Sequence, residues 1–161
     1  MVPRTFESMG FYAPSMTGQV LTDYQKSKGY EALTSIGAGE GFWVNAEGPF
    51  TATVAGGNAV TTAQLAPSLV SGWYLVSIGE EHTTPTLFNA ALNADLLSLW
   101  AWNAPSAQWY FYAHQLEALG GTALKDYIAN KGYLDFTTAN KLLDAGTGFW
   151  VNMPQSSGIP K

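Results

Sequence analysis

Apolar residues along this chain recur with two different periods. Alternation with a period of two, which sends successive side chains to opposite faces of a strand, runs through "GWYLVSIG" (72–79), "LSLWAWN" (97–103), "WYFYA" (109–113) and "GFWVN" (148–152). With the β-branched "FTATVAG" (50–56), the stretch 9–13 and another "GFWVN" at 41–45, the pattern predicts seven strands: 9–13, 41–46, 50–56, 72–78, 97–103, 109–113 and 148–153. Helical spacing marks three further segments. Leu124, Tyr127 and Ile128 fall at i, i+3 and i+4, behind Thr122 as a predicted N-cap and ahead of Gly132 as a predicted stop. Val20, Leu21 and Tyr24 make the equivalent stripe before Gly29. Thr84 and Pro85 open a third helix, with Leu87, Phe88, Ala91 and Leu92 on one side. The resulting expectation is an α+β fold of mainly antiparallel sheet, with three short helices at 18–28, 84–93 and 122–131, in a single compact domain spanning 1–161.

The same elements are spelled twice. "FYAPS" (11–15) answers "FYAHQ" (111–115), and "LTDYQKSKGY" (21–30) answers "LKDYIANKGY" (124–133) with six identities in ten positions. "GEGFWVN" (39–45) then answers "GTGFWVN" (146–152). The gaps differ by only three residues before the helix and four after it. Such self-similarity predicts a duplicated supersecondary unit: a partial copy at 9–46, its match at 97–153, and connecting strands and helix at 50–93. Gly41, Phe42 and Trp43, with Gly148, Phe149 and Trp150, define the repeated motif; Trp43 and Trp150 are expected in the core. Alternation places Phe149 and Val151 on one face and Trp150 and Asn152 on the other.

The order "SGWYLVSIG", "SLWAWN…WYFYA", "AGTGFWVN" resembles a repeat module of large bacterial secreted and cell-surface proteins. The resemblance covers 68–154 well and 9–56 in part, and its motifs are structural, so it implies no catalytic residues. Copy one lacks the Gly-Trp strand and first hairpin strand, and copy two lacks an "FTATV"-like strand after it. The chain therefore reads as half a module followed by most of a whole one. The halves either close into one pseudo-symmetric sheet system or leave strand edges unpaired, and open edges are templates for association.

Composition narrows the function classes. Charged residues are only 12% of the chain, against roughly 25% in an average soluble domain, a habit of secreted β proteins. A net charge of −5 with seven basic residues cannot build a phosphate-tracking stripe, which excludes nucleic acid. Cysteine is absent, so there is no disulfide framework and no thiol chemistry. No apolar run approaches a membrane span. The start "MVPRTFESMG" lacks the apolar core of a signal peptide; with export information removed, the expected location is extracellular or at the cell surface.

Candidate chemistry is sparse. His82 and His114, with Glu80 or Glu81 beside the first, make a weak metal set, and none is assigned. Asp23 and Asp126 recur by symmetry beside Tyr24 and Tyr127, which duplication explains without catalysis. "GAGEG" (37–41) lacks phosphate-loop spacing and leads into a strand. No nucleophile elbow or zinc-protease helix is present, so no catalytic residue and no cofactor is predicted. The six Trp residues are the strongest hint. Trp100 and Trp102 share one face of their strand, and with Tyr110 and Tyr112 they form the candidate ligand platform, since flat aromatic faces bind well at low entropic cost. The leading expectation is a non-enzymatic structural or adhesive module of an extracellular bacterial protein, self-associating through strand edges or joined to neighbouring repeat modules. The alternative is a carbohydrate-binding module using exposed Trp.

Overall fold

A computed structural model describes residues 9–49, 51, 57–80 and 82–155. Seven strands lie among them: β1 (Gly10–Phe11), β2 (Glu31–Ala32), β3 (Gly72–Ser77), β4 (Ser98–Asn103), β5 (Gln108–Tyr112), β6 (Leu134–Asp135) and β7 (Gly148–Met153). Five short α-helices accompany them: α1 (Gly18–Lys28), α2 (Thr62–Leu65), α3 (Pro85–Ala90), α4 (His114–Ala118) and α5 (Ala123–Lys131). The class is α+β, but the strands form two sheets.

The main sheet has the order β3-β7-β4-β5-β6 and is mixed. Its first three contacts are antiparallel, while β6 runs parallel to β5 because α5 carries the chain back to the end where β5 began. β1 and β2 make a separate parallel pair around α1. The two halves therefore do not merge into one pseudo-symmetric sheet.

The core lies on one face of the main sheet. Tyr74, Val76, Leu99, Phe149 and Val151 supply its inward positions, with Phe88, Leu96 and Leu143 closing over them. α3 is fixed at its start by Thr84, whose hydroxyl accepts from the Leu87 N–H at 3.2 Å, and by Pro85 in its first turn. It thereby sets Phe88 edge to face on Phe149, ring centroids 5.1 Å apart. α2 opens with a capping box between Thr61 and Gln64.

Several expected elements differ. Strand 9–13 shrinks to Gly10–Phe11 and pairs with Glu31–Ala32 outside the main sheet. Segment 41–46 forms no strand: Glu40 ahead of it makes a single bridge to Val76, the Gly41 N–H donates to the Leu75 carbonyl, and Trp43 then packs on Trp102 and Trp109 without joining the ladder. The predicted strand 50–56 lies outside the described residues, apart from Thr51. The helix expected at 84–93 ends at Ala90. α2, α4, β2 and β6 were not foreseen, since two to five residues are too few to display a period.

Candidate functional site

Two surfaces stand out, and the first is the sheet face away from the core. Register places Leu75, Trp150, Trp100 and Phe111 side by side across four strands. Trp102 pairs directly with Trp109 across the hairpin. Trp73 lies edge to face with Trp150 at 6.5 Å, and Trp100 does the same with Trp109 at 6.4 Å and Tyr133 at 5.0 Å. The rings enclose a groove of about 450 Å³ lined by Trp73, Trp100, Trp109, Tyr133 and Trp150. Among the described residues no charged side chain lines it. α5 closes one flank by packing Ile128 and Leu124 against Phe111. Beside it, Trp43 packs against Trp102 and Trp109 at 6.1 and 5.4 Å.

Of the predicted platform, Trp100 and Trp102 lie on this face. Tyr110 and Tyr112 do not. They stand opposite Ala101 and Leu99, so the pleat turns them into the core. Tyr110 packs on Phe136, and the buried Tyr112 hydroxyl donates to the Glu117 carboxylate, whose other oxygen accepts from Thr86 Oγ1. Burial, reinforced by the Glu117 charge, pushes the Tyr112 phenol well above its ordinary value. Trp43 and Trp150 are corrected the other way: Trp43 is exposed and Trp150 half-buried, neither in the core. Trp73, Trp109 and Tyr133 were missed as groove residues. Alternation of Trp73 with Leu75 and pairing of Trp109 with Trp102 were the signals available.

The second surface belongs to residues 9–46. β1-α1-β2 reproduces β5-α5-β6 in register: Phe11 stands beside Ala32 as Phe111 stands beside Asp135. Phe11 meets Tyr24 at 5.0 Å, and Phe111 meets Tyr127 at 5.1 Å. Tyr30 and Tyr133 take corresponding places at 5.6 and 5.5 Å, and Lys28 and Lys131 lie 6.0 Å over equivalent rings. Both helices end on a left-handed glycine, Gly29 (φ 72°) and Gly132 (φ 71°).

Burial, by contrast, is inverted. In the second copy Tyr112 is 4% exposed, and Leu143, Phe149 and Val151 are 0% exposed. Their counterparts Tyr12, Ile36, Phe42 and Val44 are 61%, 46%, 47% and 54% exposed. Phe149 and Val151 of the motif fill the core, whereas Phe42 and Val44 at the corresponding places are exposed.

The remaining candidates resolve into local structure. Glu80 accepts from the Thr62 N–H and hydroxyl, and the His82 N–H donates to Asp144. His114 Nε2 lies 3.5 Å from Asp95. Glu81 is outside the described residues, and among those described no group of three or more His, Asp or Glu could hold a metal ion. Asp23 accepts from Gln19 and Asp126 from Thr122, each within its own helix or that helix's N-cap. Among the described residues no helix is long and apolar enough to cross a membrane. No family model, curated protein or solved structure matches the chain.

Proposed function

We propose that this chain is a non-enzymatic structural and adhesive module of an extracellular bacterial repeat protein, and that residues 9–46 are its association surface. The observation that carries this reading is the inverted burial of Tyr12, Ile36, Phe42 and Val44 against Tyr112, Leu143, Phe149 and Val151. Covering side chains of this size stabilises by about 1.5–3 kcal/mol each, and several large apolar side chains left exposed within one segment favour an interaction role over a free surface. A duplicated module accounts for the recurrence of register, ring contacts and helix caps. Light scattering over a wide concentration range tests the reading. Mass should rise with concentration and persist in high salt, because the contacts are apolar and backbone. Phe42→Asp with Val44→Asp should return the chain toward its 17.3 kDa monomer. A strict monomer at every concentration overturns self-association.

A second reading, a carbohydrate-binding module, is favoured by the uncharged Trp groove. Its volume falls within the roughly 300–1,000 Å³ typical of small-ligand sites, and its lining suits a neutral ligand with flat apolar faces.

A further inference from the structure

The exposed apolar side chains of residues 9–46, Tyr12, Ile36, Phe42 and Val44, can be given a partner, an inference that rests on reading this segment as an association surface. In the second module one contiguous stretch, 72–103, holds everything that follows it. β4 lies antiparallel on β5 with Leu99 opposite Tyr112, Trp100 opposite Phe111 and Ala101 opposite Tyr110. β7 is inserted between β3 and β4, and Phe88 of α3 closes over Phe149. The residues on the receiving side of these contacts recur in the first copy as Tyr12, Phe11, Gly10 and Phe42.

The backbone is oriented to match. The Glu31 N–H donates to the Met9 carbonyl and the Leu33 N–H to the Phe11 carbonyl. Strand alternation therefore turns the backbone groups of Gly10 and Tyr12 to the opposite edge of β1, where no described strand pairs. Tyr110 and Tyr112 offer their backbone to β4 from that same position.

Stoichiometry keeps a second copy from supplying every donating half. The described residues hold two receiving halves, 9–46 and 108–153, but one donating half, 72–103. Pairing identical copies, exchanged or not, leaves one receiving half in every chain without a donating half, so a second copy could cover it only face to face.

We propose that residues 9–46 receive a separate donating half of the 72–103 type: a Gly-Trp strand, a short helix and a Leu-Trp-Ala-Trp strand from another module. In this register the donor's first hairpin Trp stands opposite Phe11 and packs against Phe11 and Tyr30, as Trp100 packs against Phe111 at 4.5 Å and Tyr133 at 5.0 Å.

The test replaces residues 1–8 with an extra copy of residues 69–108 fused directly ahead of Met9. Amide exchange at Gly10, Tyr12, Phe42 and Val44 should slow by about 100-fold or more relative to the unextended chain, and concentration-dependent association should fall. Leu99→Asp with Ala101→Asp in the added copy should abolish that protection. Should the fusion aggregate, the full chain can be titrated with a lysine-flanked peptide of residues 97–103, which should shift the Gly10 and Tyr12 amides. Amides that stay open in the extension, or that do not shift with peptide, overturn the inference even if the unextended chain associates. A monomeric unextended chain whose extension gains protection overturns self-association and leaves this inference standing. Gly10 and Tyr12 amides already protected in oligomers of the unextended chain identify a second copy as occupant and overturn it.

Discussion

Phe88 meets Phe149 edge to face, with ring centroids 5.1 Å apart and planes at 89°. Phe149 is fully buried by that contact, whereas Phe42, at the same place in the repeated motif, is exposed. Truncating a fully buried Phe costs about 3–5 kcal/mol, while exposed positions cost within about 0.5 kcal/mol. Phe149→Ala should therefore lower the urea midpoint sharply, and Phe42→Ala should leave it nearly unchanged. Equal losses would show that Phe42 is covered in solution.

Two kinds of glycine should respond differently. At Gly132 an added Cβ meets nothing within 4 Å, but φ is +71°. Gly132→Ala should cost about 1 kcal/mol through backbone conformation alone, read as a shift in the urea midpoint. At Gly41 the same atom would lie 2.6 Å from the Val76 carbonyl oxygen. Gly41→Ala should break the Gly41 N–H bond to Leu75 and the Ser77 N–H bond to Gly39, speeding exchange of both amides about tenfold or more.

The Tyr112 phenol carries a pH dependence. Its ordinary value is 10.0, and burial with the Glu117 contact raises it in the folded state. The unfolded chain therefore loses this proton first as pH rises. The stabilisation is complete below about pH 10 and is lost progressively above it. Tyr112→Phe should flatten the alkaline fall and cost about 1–2 kcal/mol at neutral pH. An unchanged alkaline limb would show that the phenol does not govern it.

The groove has its own test. If a neutral glycan occupies it, Trp emission should change on titration with soluble neutral polysaccharides. Trp73→Ala with Trp100→Ala should abolish the change while far-ultraviolet circular dichroism persists. No emission change with the wild-type chain removes the carbohydrate reading and leaves the structural one.

Much of the architecture was legible where period and punctuation agree. α1 and α5 follow from stripes ending on Gly29 and Gly132, and β3, β4, β5 and β7 from alternation bounded by turn residues. The candidate platform was legible only in half. Alternation along one strand puts Trp100 and Trp102 together, but the face shared with the next strand depends on hairpin register. Asn103 pairs with Gln108 around a 3₁₀ turn, which aligns Trp109 with Trp102 and sends Tyr110 and Tyr112 to the core.

Local pattern determined which residues become helix or strand and which side chains share a face, because φ/ψ preference, capping and pleat act within a few residues. Burial was decided elsewhere. "GEGFWVN" and "GTGFWVN" differ at one position, yet one becomes a central strand and the other leaves the sheet after a single bridge. What separates them is that β7 is held between β3 and β4 and covered by Phe88 of α3, whereas Glu40 and Gly41 meet β3 on one side only and Phe42 stays exposed. A strand's environment is set by neighbours distant in sequence, and only the tertiary structure supplies those.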